Sequence, residues 1–246
     1  MILIVGSSRD DVLYFNNVMR NKSEGVILNK FPISIGTIFN QNVIVVHEVY
    51  TSLVASMVTS YIINHYDIIL AINGGRCSGF TQTLKTGDIA ISRCMVALDS
   101  DQTSYLPDVR VGQIPTFDQK VDFSEKIKPT LKTALEKLSL GRQLDCYYMS
   151  SDTVYTNRDQ LAQYTNEGVL LGIDGNIVFD CESIGIGVVC GTYDIPFIAV
   201  KVVQNIIGKK TGIDDYIAVI KRYASLGKAV ISFIGEVGRS DMLEFF

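Results

Sequence analysis

The sequence predicts an α/β protein in which helices pack on a largely buried central sheet. Three observations lead to this fold class. Short apolar runs rich in β-branched residues alternate along the chain with amphipathic segments of 3.6-residue apolar spacing. Apolar side chains make up 47% of the 246 residues, which is enough for a substantial core. The sequence contains no internal repeat, low-complexity tract or Pro/Gly linker, so one compact domain is expected.

Eight short segments have the composition of strands, because apolar and β-branched residues dominate them. The predicted strands are Ile2–Val5, Ile33–Phe39, Val43–Val46, Ile68–Ile72, Asp88–Val96, Leu144–Met149, Ile177–Phe179 and Phe197–Val203. Six further segments have apolar residues at helical spacing, and Asp, Ser or Thr stands near several of their starts. The predicted helices are Asp10–Arg20, Thr51–Asn64, Phe123–Leu138, Arg158–Asn166, Ser183–Tyr193 and Asp214–Phe233. The segment Leu98–Phe117 is long for a connection, so a functional or mobile loop is expected there.

Composition and charge argue against several classes of partner. The formal net charge is −4 and the basic residues are dispersed, which disfavours binding to nucleic acid or to an anionic membrane. The N-terminal residues MILIVGSSRDD lack the basic start of a signal peptide, and no apolar run has a spanning length, so a soluble cytoplasmic protein is expected. The five cysteines show no CxxC spacing and the two histidines no metal-ligand spacing. We therefore expect reduced thiols, no metal and no cofactor.

Polar residues follow four of the predicted strands, at the ends where α/β sheets bind ligands. The four stretches are Gly6–Asp11, Asn73–Gly79, Ser150–Tyr155 and Asp180–Glu182. Each stretch alone has an ordinary structural explanation, namely a helix start, a tight turn, a helix N-cap or a solvated strand end. Their joint occurrence at strand ends favours one binding site over four separate structural roles.

The order of these elements resembles that of the nucleoside phosphorylase and nucleosidase superfamily, particularly the 5'-methylthioadenosine/S-adenosylhomocysteine nucleosidases. The stretches that carry the resemblance are ILAINGG (69–75), LKTGDIAIS (84–92), SD (151–152), FDCES (179–183) and IPFIAVK (195–201). LKTGDIAIS and DCES together form a specific pair. The resemblance covers residues 1–237 as one domain and leaves 238–246 as a C-terminal tail. It implies a three-layer α/β/α sandwich with a central mixed β-sheet, like that of the nucleoside phosphorylases.

The resemblance implies roles for the sugar end of the site. Glu182 matches the glutamate that binds the ribose hydroxyls, and an ionised carboxylate there also stabilises the positive charge that develops on the sugar. Cys181 replaces a methionine that packs on the sugar, and Asp180 orients its neighbours. Asp11 matches the region that supplies the water-activating acid, although the family has glutamate there. Gly75 lets the backbone approach the substrate.

The base end departs from the family pattern. Asn205 stands where purine-specific members have the aspartate that protonates the departing base, and an amide cannot act as a general acid. Val154 stands where an aromatic residue commonly stacks on the base, and the adjacent Tyr155 could take over that role. Ser151 and Asp152 belong to the same substrate-binding stretch.

Three functions are compatible with these residues. The first is hydrolysis of a purine ribonucleoside, with or without a 5' modification of the methylthioadenosine type, and Asn73 supports it because nucleosidases also have asparagine there. The second is phosphorolysis of a uridine or 6-oxopurine nucleoside, in which Arg9 or Arg76 would hold phosphate. The third is a non-catalytic nucleoside-binding or storage relative, suggested by Asn205 and Val154.

The resemblance also implies a homodimer. Members of this family assemble so that one subunit completes the site of another, and Tyr105 and Pro115 of the long connection would make that contribution. The expected partners are therefore a small-molecule nucleoside, phosphate if the reaction is phosphorolysis, and a second copy of the chain.

Overall fold

The protein is described by a computed structural model that covers residues 1–124, 129, 133, 142–166, 169–170 and 173–237. The strands are β1 (Ile2–Val5), β2 (Arg20–Ile27), β3 (Phe31–Ile38), β4 (Gln41–Val46), β5 (Leu70–Gly79), β6 (Ile89–Ala97), β7 (Gln143–Ser150), β8 (Asn176–Asp180) and β9 (Phe197–Ile206). The helices are α1 (Arg9–Val18), α2 (Ser52–His65), α3 (Ala162–Asn166), α4 (Ser183–Thr192) and α5 (Ile213–Val237), and a short 3-10 helix, Asp159–Leu161, precedes α3.

The strands form one mixed sheet in the order β2-β3-β4-β1-β5-β8-β7-β6-β9. Strand β1 is parallel to β4 and β5, whereas β2, β3 and β4 are joined by antiparallel pairing. Strand β9 pairs with both β6 and β5, so β5, β8, β7, β6 and β9 close into a ring. This closure brings distant parts of the chain to one end of β5.

Helices cover both faces of the sheet, because the buried strands present apolar side chains to each side. Leu3 and Val5 belong to the core under α2 and α4, whereas Ile2 and Ile4 belong to the core under α1 and α5. This alternation is the period-2 pattern of a strand with two buried faces. The predicted three-layer α/β/α fold class is confirmed.

Three sequence predictions about individual elements are wrong. Strand β2, RNKSEGVI, was predicted as the end of a helix and a loop, but it is an edge strand whose side chains are almost all exposed, so it carries no apolar alternation. Gly74 and Gly75 do not form a tight turn, because β5 continues through them and pairs with β9 as far as Gly79. The predicted end of a strand at Val203 is likewise too early, because β9 continues through Ile206.

Other predictions are confirmed with small shifts at the element ends. Most of the predicted helix Phe123–Leu138 and all of the 238–246 tail lie outside the described residues. The long connection after β6 has no helix or strand through Phe117, as predicted. None of the helices in the described part of the chain is both long and apolar enough to cross a membrane.

Candidate active site

A cavity of about 300 Å³ lies where β1 and β8 end beside the second half of β5. Its lining residues are Ser7, Ser8, Asp11, Tyr50, Arg76, Cys77, Ser78, Thr153, Val154, Tyr155, Phe179, Asp180, Cys181, Glu182 and Gln204. Ligand sites commonly begin at this size. The four polar stretches predicted from the strand ends therefore meet around one cavity.

A buried ion cluster forms one wall of this cavity. The Nζ of Lys201, on β9, lies 2.7 Å from Oδ2 of Asp180 and 2.7 Å from Oε2 of Glu182. Lys201 is fully buried, and the two carboxylates are almost so. Ser7 donates its hydroxyl hydrogen to Oε1 of Glu182 at 2.8 Å. Glu182 is thus fixed by donors on both of its oxygens.

Asp180 has a supporting role in the same cluster. Ser150 donates to its Oδ1 at 2.5 Å and Ser183 donates to its Oδ2, while Lys201 bridges it to Glu182. Asn73 ties this cluster to the sheet. Its Oδ1 lies 2.9 Å from the same Ser183 hydroxyl, whose single hydrogen serves one acceptor at a time, and its Nδ2 donates to the carbonyl of Val5 at 3.0 Å. Asp180 therefore orients the turn that carries Glu182.

The cluster shifts the pKa values of its members in defined directions. Burial raises the pKa of Glu182 above its usual range, and the charge of Lys201 opposes that shift. Burial alone would lower the pKa of Lys201, but Asp180 and Glu182 outweigh it and raise the pKa. Lys201 therefore stays charged and favours the ionised form of Glu182.

Asp11 lies at a second wall, on the first turn of α1. Its Oδ2 accepts from the backbone N–H of Ser8 at 2.8 Å, and its Oδ1 is 3.3 Å from Nε of Arg76. The hydroxyl of Tyr223, on α5, donates to the same Oδ1. Gly75 passes close to this carboxylate with φ of +149°, and a Cβ there would lie 3.6 Å from Oδ2. A Cβ at that distance would make only an ordinary contact with Asp11, so glycine is favoured here by its positive φ, which residues with a side chain rarely adopt.

Aromatic and amide side chains line the other end of the cavity. The rings of Tyr155 and Phe179 meet edge to face with centroids 5.7 Å apart. Tyr155 is largely buried, and its hydroxyl contacts those of Ser151 and Tyr164. Burial raises the pKa of Tyr155 to about 12, so its hydroxyl stays protonated at neutral pH. The exposed side chain of Gln204 borders the same end.

Several residues predicted for the site do not line the cavity. Asn205 faces Ser78, whose hydroxyl donates to its Oδ1 at 2.9 Å. Asp152 accepts from the backbone N–H of Ser52 at 2.6 Å, at the N-terminus of α2, which is the position of an anion that complements the helix dipole. Arg9 is exposed at the start of α1. Ser151 is buried and supports Tyr155 rather than facing the cavity.

Tyr105 and Pro115 also lie away from the cavity of their own chain. Tyr105 is 86% exposed within a run, residues 101–108, whose side chains are all exposed. Pro115 is partly buried. Their predicted contribution to a partner's site therefore depends on how two copies of the chain associate.

Sequence reasoning gave no role to Lys201, Gln204, Ser7, Tyr50 or Tyr223. A signal for Lys201 was present, since a lone lysine inside the apolar run FIAVKVV must find a counter-charge when the strand is buried. The other four are ordinary residues in sequence, and only their positions around the cavity and Asp11 mark them.

A family model described as the phosphorylase superfamily matches residues 1–234. The chain belongs to this superfamily. Among curated relatives, the 5'-methylthioadenosine/S-adenosylhomocysteine nucleosidase of Anoxybacillus flavithermus is 22% identical over 212 residues, which are 86% of this chain and 88% of that protein.

Two solved structures of named hydrolases share the superfamily fold with this chain. The 5'-methylthioadenosine/S-adenosylhomocysteine nucleosidase from Neisseria meningitidis, in complex with methylthio-immucillin-A, has a TM-score of 0.83 at 17% identity and covers 96% of this chain and 98% of its own. The futalosine hydrolase of Helicobacter pylori has a TM-score of 0.81 at 16% identity, with coverage of 96% and 97%. Because proteins with different substrate names share this phosphorylase-superfamily fold, the substrate must be argued from the site.

Proposed function

We propose that this chain hydrolyses the N-ribosidic bond of a purine ribonucleoside of the methylthioadenosine type, with or without a 5' substituent. The observation that carries the proposal is the charge of the cavity wall. Asp11, Asp180 and Glu182 line it, and Arg76 is the one cationic side chain among the described lining residues. With Lys201 behind the wall, the site carries three carboxylates against two cations.

This charge suits the chemistry of ribosidic cleavage. When the bond between C1' and the base nitrogen breaks, its electron pair leaves with the base and the sugar becomes oxocarbenium-like. Glu182 would accept the ribose hydroxyls and stabilise that cation more than the neutral substrate. Asp11 would accept a proton from the water that attacks C1'. The aromatic end, with Tyr155 and Phe179, suits a planar base.

The same charge disfavours phosphorolysis. A phosphate ion would have to enter a wall with an excess of carboxylates, and Arg76 is already paired with Asp11. Arg9, the other candidate, is exposed and does not border the cavity. Asn73 is fully buried, with both ends of its amide committed to the framework. These contacts favour water as the nucleophile.

The test is an assay of base release from methylthioadenosine, adenosine, inosine and uridine, each with and without inorganic phosphate. Hydrolysis predicts release of adenine from methylthioadenosine at a rate that phosphate does not raise. Strict dependence on phosphate would assign a phosphorylase instead. If none of the four nucleosides is cleaved, the non-catalytic alternative replaces this proposal. A cytoplasmic location stays a prediction of the sequence.

Asn205 does not itself line the cavity, but it contacts Ser78, which does. In the proposed reaction, Asn205→Asp would place a general acid behind that part of the lining, and it is expected to raise adenine-nucleoside cleavage by about a hundredfold. Ser78 already contacts this position at 2.9 Å and could donate to the new carboxyl. The gain should appear on the acidic side of the pH profile, since the acid must be protonated to act.

Gln204→Glu is the matched control for Asn205→Asp, because it adds a carboxyl to the neighbouring residue that borders the cavity. Initial rates on adenosine and inosine between about pH 5 and 8 span the range in which such groups work. An Asn205→Asp protein with no gain on adenosine at any of these values would contradict a limiting role for position 205.

We also propose a homodimer in which the loop carrying Tyr105 and Pro115 reaches the partner's cavity. Support comes from α2, where Leu53 and Met57 are exposed at 75% and 47% on one helical face, next to Tyr50 at the cavity edge. Large apolar residues grouped in this way are typical of an interface.

Sedimentation equilibrium is expected to give a dimer at micromolar concentration, and Leu53→Asp to shift it toward monomer while raising KM. The control is Leu13→Asp, which places the same charge at an exposed leucine of α1. A wild-type monomer with full activity would count against the dimer and against a site completed by a second subunit.

A further inference from the structure

The carboxylate of Asp11 is held from three directions by groups of three different elements. Ser8 donates from the start of α1, Arg76 approaches from β5, and Tyr223 donates from α5, 212 residues along the chain. The side chain of Asp11 is only 1% exposed, although it borders the cavity. The Ser8 contact is the local capping box of α1, whereas Arg76 and Tyr223 reach Asp11 only through the tertiary structure, so both kinds of contact set its orientation.

The Asp11 carboxylate has more acceptor positions than its three donors occupy. An ionised carboxylate has about four acceptor positions, two on each oxygen. Tyr223 and Arg76 both address Oδ1, whereas Ser8 alone addresses Oδ2. Oδ2 therefore keeps one acceptor position, on the oxygen beside which Gly75 leaves space. A water held there would be the nucleophile of the proposed reaction.

Tyr223 is well placed to maintain this arrangement. The guanidinium of Arg76 lies over the Tyr223 ring at 5.8 Å from its centroid. The ring of Tyr223 therefore contacts Arg76, and its hydroxyl contacts Oδ1 of Asp11. A phenol offers one hydroxyl hydrogen, which it gives to Asp11 here. Without this hydroxyl, Arg76 would be the remaining donor at Oδ1. The carboxylate could then rotate so that Oδ2 no longer holds the water in position to attack C1'.

We propose that Tyr223 is a positioning residue for hydrolysis, which acts by fixing the Asp11 carboxylate so that Oδ2 holds the attacking water. This inference rests on the proposed function. It assigns to the C-terminal helix α5 a part in the reaction, although Tyr223 lies outside the described lining of the cavity.

Tyr223→Phe isolates the hydroxyl, because the ring that packs against Arg76 is kept. We expect kcat to fall by about tenfold or more, as for the loss of a hydrogen bond to a charged group, while KM changes less than about twofold. Tyr216→Phe is the matched control, because it removes a hydroxyl from the same helix about two turns earlier. That tyrosine is 65% exposed and does not line the cavity. The kcat of Tyr216→Phe should equal that of the wild type.

A double-mutant cycle with Asp11→Asn separates a positioning role from a general structural one. If Tyr223 acts through Asp11, then Tyr223→Phe should have less than about a twofold effect in the Asp11→Asn protein. If Asp11→Asn abolishes turnover, the cycle cannot be read, and the comparison of kcat and KM between Tyr223→Phe and Tyr216→Phe decides whether Tyr223 has a positioning role. An unchanged kcat, an equal loss in the Asp11→Asn protein, or a rise in KM alone would overturn the inference. A wild-type protein that cleaves no nucleoside would instead overturn the proposed function.

Discussion

Glu182→Gln is expected to lower kcat/KM by about a hundredfold or more, equivalent to about 3 kcal/mol of transition-state stabilisation. The substitution keeps the shape of the side chain and removes the charge that faces the developing sugar cation. Steady-state base release, measured on the best nucleoside of the panel, gives the size of the loss. Most of it should appear in kcat, because the charge matters more in the transition state than in the ground state.

The structure predicts that Glu182→Gln folds normally. Lys201 would keep Asp180 as a counter-ion at 2.7 Å and can donate to the new amide oxygen, while the amide nitrogen can donate to the hydroxyl oxygen of Ser7. The control is Glu24→Gln, which makes the same chemical change at an exposed position of the edge strand β2. Wild-type turnover by Glu182→Gln would show that the ribose assignment is wrong. A large fall in melting temperature would instead show that the charge is needed for folding.

Lys201→Met is expected to have the largest effect on stability. It removes a cation that contacts two buried carboxylates, and loss of one partner from such a cluster costs about 3–5 kcal/mol. For a chain of this size, the melting temperature should fall by roughly 10 °C. Thermal unfolding followed by circular dichroism measures the change, with the exposed Lys228→Met as the matched control.

The pH dependence of Lys201→Met has a defined sign. Without Lys201, burial and mutual repulsion raise the pKa of Glu182 further above its unfolded value. The folded variant then binds more protons than the unfolded chain, so its stability deficit should grow as pH rises from about 4.5 and shrink as pH falls. Activity that needs ionised Glu182 should be lost at a higher pH than in the wild type.

A double variant shows how much of the stability loss in Lys201→Met comes from the unpaired charge of Glu182. Glu182→Gln combined with Lys201→Met leaves Asp180 as the one charged member of the cluster, so part of the lost stability should return. A deficit of the same size at every pH, in both the single and the double variant, would contradict the ionic explanation and point to lost packing by the lysine stem.

The buried strands were predictable because their own residues, which are almost all apolar, indicate a buried strand without reference to the rest of the chain. Continuous apolar runs such as Ile2–Val5 and the start of β9 can only be buried, and they are. Strand β2 was not predictable, since its residues are polar and its strand conformation depends on pairing with β3. The extension of β5 through Gly74 and Gly75 depends in the same way on β9, which pairs with both glycines.

The sequence by itself determined the fold class and the chemical types at the strand ends, because apolar period and residue identity are local properties. It pointed to Asp11, Asp180 and Glu182 as carboxylates of one site. Only the tertiary structure decided their states and directions. The closed ring of strands brings Lys201 between two carboxylates, and α5 brings Tyr223 to Asp11 from the far end of the chain. Charge balance and hydrogen-bond direction are set by neighbours in space, and no local pattern records them.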